Sequence, residues 1–202
     1  MNQTTLALML AGATVGSLHT LAPDHWVPFA AIARAGKWSW RRTARVTMLC
    51  GFGHVTVSAM LAIVAAFTGL RVLEKIGAQL ESQATYLLIA FGFVYLVYGL
   101  RKHHHHHLHA PLTTWSLFIL FCADPCIAVM PLVFAAAIEG IAAVTAVILV
   151  YEAATIATMV VLVLTAHAGV RRLELPWIDR FGDAVAGAVI VCIGAFVGYL
   201  GI

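Results

Sequence analysis

Apolar residues in this chain group into long runs separated by polar stretches, which is the pattern of helices that cross a membrane. A transmembrane helix needs about 20 predominantly apolar residues. We therefore predict six membrane-spanning helices, at residues 4–24, 46–70, 84–100, 112–138, 141–169 and 183–202. The apolar segment 26–35 follows two prolines closely, and we expect it to continue the first helix beyond a break. The predicted fold is an all-α integral membrane protein.

Composition supports this class. Of the 202 residues, 62% are hydrophobic and only 10% are charged, whereas soluble domains carry about 25% charged residues. We therefore predict one transmembrane domain over residues 1–202, embedded in the lipid bilayer, with no separate soluble module. No basic residue precedes the first apolar run, so we expect a retained helix and not a cleaved signal peptide. Nothing in the charge distribution indicates a nucleic-acid partner.

The distribution of Lys and Arg predicts how the helices are oriented. The stretch after the second span contains only two basic residues, Arg71 and Lys75. The stretches after the first, third and fifth spans share ten basic residues: Arg34, Lys37, Arg41, Arg42, Arg45, Arg101, Lys102, Arg171, Arg172 and Arg180. Because basic loops stay in the cytoplasm, we expect a protein of the cytoplasmic membrane with both termini outside.

The two halves of the chain resemble each other at an offset of roughly 100 residues. Segment 23–36 parallels segment 124–140, with prolines and polar residues at related places. We predict repeat one at 1–100 and repeat two at 112–202, each with three spans; three is an odd number, so the copies lie in opposite orientations. Inverted repeats with broken helices are typical of secondary transporters. The alternative is chance similarity between helices rich in Ala, Val and Gly.

Prolines in both halves predict helix breaks within the membrane. A proline inside a helix donates no backbone hydrogen bond and clashes with the carbonyl four residues before it. On this ground Pro23 frees the carbonyl of His19, and Pro125 frees that of Phe121. We predict that the first and fourth helices are broken at Pro23, Pro28, Pro125 and Pro131.

The first of these breaks lies among side chains that bind metals. His19, Asp24 and His25 stand in an otherwise apolar segment, and ionisable groups in a membrane indicate function because they are costly there. A straight helix advances 100° per residue and would keep the three apart, so we expect the break at Pro23 to bring them together. The residues predicted to line one central metal-binding cavity are His19, Asp24, His25, His54, Asp124, Cys126 and Glu152.

The chemistry of these groups suits a transition-metal dication. Imidazole binds nickel, cobalt, zinc and copper. A dication in a medium of low dielectric constant needs about two negative charges nearby, which Asp24 with Asp124 or Glu152 supplies. For Asp124, Cys126 and Glu152, a role in proton transfer or gating is the alternative. For His19 the alternative is a hydrogen bond to a neighbouring helix.

A histidine run follows the third predicted span, in the loop 101–111 that we place in the cytoplasm. Its imidazoles predict a weak, multivalent metal trap, and the alternative is a hydrophilic linker. The residues concerned are His103, His104, His105, His106, His107 and His109.

Two segments resemble the nickel/cobalt transporter family, within the lysine-exporter-type group of membrane proteins. The stretch from His19 to His25 resembles the family's His-x4-Asp-His signature, and residues 51–57 around His54 resemble its second motif on the following helix. The resemblance implies that His19, Asp24, His25 and His54 select and carry the metal. This chain departs from the importers in having fewer spans and Ala22 where an Asp is usual, and its six spans with a His-rich loop are closer to the efflux branch.

We therefore expect a secondary transporter of Ni²⁺ or Co²⁺ and not an enzyme. No permanently bound cofactor is expected, protons are the candidate coupling ion, and a monomer or small homo-oligomer is expected. No nucleotide-binding loop is present in the sequence. Transport direction and the metal stay open. The alternatives are a metal-delivery protein of the urease-accessory type and a membrane thiol–disulfide carrier, in which Cys126 would need a partner where this chain has His25.

Overall fold

In the computed structural model, residues 2–68, 70–101, 110–124, 126–171 and 176–200 are described, and they are helical apart from turns and short connections. A short 3₁₀ turn at Ile127–Val129 precedes the sixth helix. The helices are α1 Gln3–His19, α2 Pro23–Ala35, α3 Trp40–Thr68, α4 Leu70–Arg101, α5 Ala110–Cys122, α6 Met130–Glu139, α7 Ile141–Arg171 and α8 Pro176–Leu200.

Four of these helices contain a stretch long and apolar enough to cross a membrane: Trp40–Val64, Gln83–Arg101, Ile141–Gly169 and Phe181–Leu200. The bent pair of α1 and α2 makes a fifth if it is one span. The chain is therefore an all-α, multi-pass membrane protein. The predicted fourth span at 112–138 is divided between α5 and α6, which are too short to span singly, so a count of six spans stays a prediction.

The first predicted break is present. Helix α1 ends at His19, α2 begins at Pro23, and the two axes differ by 52°. The Thr20 hydroxyl donates a 2.6 Å hydrogen bond to the Gly16 carbonyl and closes the end of α1. Pro23 occupies the first position of α2, where a helix needs no backbone N–H donor. The sequence thus predicted both the place and the cause of this break.

A second break at Pro28 was predicted and is wrong. Pro28 lies inside α2 and is buried. Only the hydrogen bond to the Asp24 carbonyl is lost, close to the start of the helix, and packing against neighbouring helices keeps a membrane helix intact at such a proline.

In the second half the chain also leaves the helical path. Helix α5 ends at Cys122, and α6 begins at Met130 after the 3₁₀ turn. Pro131 stands in the first turn of α6, so the break precedes this proline. Pro125 lies outside the described residues, as do the six histidines of the loop 101–111.

Two other connections differ in how well the pattern predicted them. The polar stretch 71–83, expected to separate two spans, is helical and forms the first turns of α4. The corner between α6 and α7 is the single residue Gly140, at the expected place, with a φ of 102° that favours glycine.

The helices pack so that the two halves interlock. Helix α4 packs along α8 and α3 packs on α7, while α1 packs on α7 and α5 packs on α3. Buried apolar side chains fill the spaces between them, including Phe29, Ile32, Leu117, Phe121 and Ile190. Helix α3 contacts α2 and α5, and α7 contacts α1, α2 and α6, so both helix breaks lie beside these two helices.

Candidate metal centre

The polar residues of the two breaks line a common cavity of about 260 Å³. Helix α3 contributes one residue to its wall, and α4 and α8 contribute small or apolar ones. Six of the seven residues predicted to share a cavity line this one: His19, Asp24, His25, His54, Asp124 and Cys126.

Three imidazoles form a continuous array in this cavity. The ring centroids of His19 and His25 are 4.5 Å apart, and those of His25 and His54 are 5.3 Å apart, with each pair edge to face. His25 is 3% exposed and His54 is 2% exposed. Three imidazole rings so close together, in a buried place, form a typical ligand set for a transition-metal ion.

Hydrogen bonds fix which nitrogen of each buried ring is available. The Nδ1–H of His25 donates to Asp24 Oδ1 at 2.9 Å. The Nδ1–H of His54 donates to the Phe121 carbonyl at 3.1 Å. In metal sites a ligating histidine usually donates its other ring nitrogen to a carboxylate or carbonyl, so both rings have the arrangement that leaves Nε2 for a metal.

Two ring nitrogens face the cavity without a partner. His19 Nε2 and His54 Nε2 are buried, and neither has a hydrogen-bond partner among the described residues. A buried polar atom left unsatisfied costs about 1–3 kcal/mol. A bound cation would satisfy both atoms at once.

The carbonyl that orients His54 belongs to the second break. Phe121 is the residue whose carbonyl the sequence predicted to be freed by Pro125, four positions later. In the structure that carbonyl lies near the end of α5 and accepts from the His54 ring on α3. The break in the second half therefore positions a histidine of the first half.

Cys126 joins the cluster from the same break. Its backbone N–H donates to Ser58 Oγ at 2.7 Å, and the Ser58 hydroxyl donates to the His54 carbonyl at 2.8 Å. Its sulfur lies 2.7 Å from the Tyr151 hydroxyl oxygen. One candidate ligand atom from each of His19, His54 and Cys126 lies within 4.8 Å of the other two.

Glu152 does not line the cavity, contrary to the sequence-based expectation. Its carboxylate accepts a long hydrogen bond of 3.5 Å from Thr56 on α3. The buried face of α7 carries Tyr151, Thr155 and Met159, spaced four residues apart. A neighbouring residue on a helix is rotated by 100°, which turns Glu152 away from the cavity.

Sequence reasoning missed Tyr151 and the part that Ser58 plays. Ser58 follows His54 by four residues and so shares its helix face, which is a signal for a contact with the second break. The signal for Tyr151 is its spacing of four and eight residues from Thr155 and Met159.

Charge in the cavity is concentrated in two carboxylates, Asp24 and Asp124. They come from different halves of the chain. Together they can balance the charge of a dication that enters a medium of low dielectric constant.

The four cysteines are all free thiols: Cys50, Cys122, Cys126 and Cys192.

In comparisons with known proteins, no family model, curated protein or solved structure matches this chain.

Proposed function

We propose that this protein is a secondary transporter of a divalent transition-metal ion, Ni²⁺ or Co²⁺, resembling the nickel/cobalt transporters. The observation that supports it best is the array of His19, His25 and His54 beside two carboxylates, in a cavity between broken helices of a membrane protein. Unwound backbone within a membrane is tolerated where it lines a cavity, and here it does so together with metal-binding side chains.

The packing favours two inverted three-helix repeats and six spans. If the halves are exchanged, α1 corresponds to α5, α3 to α7 and α4 to α8. The contact of α1 with α7 then corresponds to that of α5 with α3, and the α4–α8 and α3–α7 contacts map onto themselves. Such an exchange is what the pseudo-two-fold axis of inverted repeats produces, and that axis lies in the membrane plane. The contact of α2 with α8 has no comparable counterpart between α6 and α4 among the described residues, so the packing departs from this symmetry there. In this proposal α5 and α6 together form the fourth span.

The residues that α4 and α8 add to the cavity suggest on which side it is accessible. Ala84 and Thr85 lie at the start of the apolar stretch of α4, and Val197 lies near the end of that of α8. This part of the cavity is therefore close to one membrane face. In the proposed orientation, with both termini outside and the basic stretches in the cytoplasm, this is the outer face.

Energetics distinguish the two transport directions. A membrane potential favours entry of a dication by about 4.6 kcal/mol per 100 mV. Import needs no further energy source, whereas export needs one, for which exchange with protons is the candidate. The six histidines of the loop 101–111 are the proposed accessory binding region on the cytoplasmic side.

Flux of radioactive nickel into and out of proteoliposomes tests this proposal. We expect wild-type protein to transport Ni²⁺ without a partner protein, which also separates a transporter from a metal-delivery protein. His54→Ala is expected to lose transport while retaining the wild-type elution profile in detergent. His167→Gln is the matched control, because His167 is the one histidine of the described residues that does not line the cavity. Wild-type flux in His54→Ala would contradict the proposal.

A further inference from the structure

Cys126 brings a sulfur atom to a cavity that is otherwise lined by nitrogen and oxygen ligands. The residue is 3% exposed, and its candidate ligand atom lies within 4.8 Å of those of His19 and His54. In a tetrahedral site with metal–nitrogen bonds near 2.0 Å and metal–sulfur bonds near 2.3 Å, ligand atoms are about 3.3–3.6 Å apart. The three groups need to approach one another by only about 1 Å to bind one ion.

The position of this sulfur is fixed by contacts on two sides. The backbone N–H of Cys126 is bound to Ser58 Oγ, and Ser58 is bound in turn to the helix turn that carries His54. The sulfur itself contacts the hydroxyl of Tyr151, which is fully buried. Because the same serine links the cysteine to the histidine, the two ligand groups are held in register with each other.

A second observation indicates that a ligand belongs at this place. His54 is only 2% exposed, and it lines the cavity. Its Nε2 has no hydrogen-bond partner among the described residues. Its Nδ1 is occupied by the Phe121 carbonyl. His54 Nε2 and the Cys126 sulfur are therefore both candidate ligand atoms for one ion in this cavity, and His19 Nε2 is the third.

We propose that Cys126 binds the transported ion as a thiolate, together with His19 and His54, and that the cargo is a dication that prefers tetrahedral nitrogen and sulfur ligands. This inference rests on the proposed transport function. Tetrahedral sites with sulfur and imidazole ligands suit Zn²⁺ and Co²⁺, whereas Ni²⁺ favours square-planar or octahedral nitrogen and oxygen ligands, and Mg²⁺ and Mn²⁺ favour oxygen alone. The cargo class is then Co²⁺ or Zn²⁺ ahead of Ni²⁺.

Binding in this form is a simple ligand exchange. The sulfur–hydrogen bond of Cys126 breaks as the metal–sulfur bond forms, and the proton passes to the buffer. No electron is transferred. The fourth coordination position is left to His25, whose ring lies between those of His19 and His54.

Cobalt is the probe of choice because a bound thiolate gives Co²⁺ a charge-transfer absorption in the near ultraviolet, which imidazole and carboxylate ligands do not give. We expect full-length protein in detergent to show this band on titration with CoCl₂, and Cys126→Ser to lose it. The affinity for Co²⁺ should fall in that variant by at least about 10–100-fold, which is the usual cost of altering groups around a metal ligand. The matched control is Cys192→Ser, which replaces an exposed thiol on α8 and should keep both band and affinity.

The outcomes separate this inference from the function on which it rests. Cobalt that binds without the band, or a band that survives in Cys126→Ser, would overturn the thiolate and leave the transporter proposal intact. If the wild type neither binds nor transports Co²⁺ or Ni²⁺, both proposals fail. Should Cys126→Ser not fold, X-ray absorption at the cobalt edge of the wild type decides, since the thiolate requires a sulfur neighbour at about 2.3 Å and its absence contradicts the inference.

Discussion

The two helix breaks of this protein differ in what they contribute to the cavity. The first, between His19 and Pro23, separates two regular helices bent by 52° and presents ionisable side chains on both sides. The second extends from Cys122 to Met130 through a 3₁₀ turn, and much of its contribution is made by backbone groups. Its Phe121 carbonyl and its Cys126 N–H both bind residues of α3.

The two breaks contribute to the site in different ways. The first break presents imidazole and carboxylate groups, while the second presents Asp124 and Cys126 and also orients His54, which α3 carries. His54 on α3 depends on both, because its Nδ1 is held by the second break and its ring lies 5.3 Å from that of His25 in the first. Variants in each break therefore test this difference.

The largest effect is expected for His25→Ala. The ring of His25 lies between those of His19 and His54, so its loss interrupts the array. Loss of a group that only orients a ligand weakens metal binding by about 10–100-fold. Loss of a ligand should weaken the binding of Ni²⁺ or Co²⁺ by more than this. Calorimetric titration of purified protein measures this, with His167→Gln as the control. An affinity close to wild type would show that His25 does not bind the metal.

A smaller loss is expected for Asp24→Asn. Asp24 accepts a 2.9 Å hydrogen bond from His25 and adds negative charge to the cavity. The amide retains the shape but removes the charge and weakens the orienting contact, so metal affinity should fall about 10–100-fold.

Asp124→Asn is the matching variant in the second break, and it compares the two halves directly. Asp124 lines the same cavity but is proposed only to balance charge, so its effect on affinity should be the smaller of the two. A larger effect from Asp124→Asn would show that the second break holds the carboxylate that matters more for metal binding.

Packing of the first break on α7 can be tested without altering a polar group. A Cβ atom at Gly16 would lie 2.7 Å from Thr155 Oγ1 and 3.0 Å from the Tyr151 carbonyl oxygen, whereas at Gly12 its nearest neighbour is 3.6 Å away. Gly16→Ala should lower the free energy of unfolding by about 1–3 kcal/mol, the usual cost of overpacking. Gly12→Ala is the control and should be close to neutral. Unfolding in mixed detergent micelles measures both, and equal stabilities would show that α1 is not tightly held.

The sequence predicted much of this architecture because apolar length and proline chemistry act locally. The apolar run at 141–169 coincides with the stretch found in α7, and the first break is at Pro23 as expected. Both predictions require only that a helix cross the membrane and that a proline start a new helix. Pro28 shows the limit of this reasoning, since neighbouring helices keep α2 continuous through it.

The face that each helix turns inward was less predictable. Helix α7 is apolar on all sides, so its sequence has no polar stripe that marks the side facing the protein interior. The repeat offset and the spacing to Thr155 and Met159 favour Glu152 as the residue of α7 at the cavity, but burial selects Tyr151, one residue earlier. The contact between Cys126 and Tyr151 joins the second break to α7, and no local pattern in the sequence encodes it.

The smallest effect is expected for Glu152→Gln, and it tests the same distinction. Glu152 lies about 100 residues after His54, which is the offset of the two predicted repeats, yet its carboxylate contacts Thr56 and does not line the cavity. An amide oxygen can accept the same hydrogen bond, so the change in metal-binding free energy should stay within about 0.5 kcal/mol. Titration of the variant beside Asp24→Asn measures this. A loss of affinity as large as that of Asp24→Asn would mean that the two halves contribute equivalent ligands from α3 and α7, and that the cavity changes shape when metal binds.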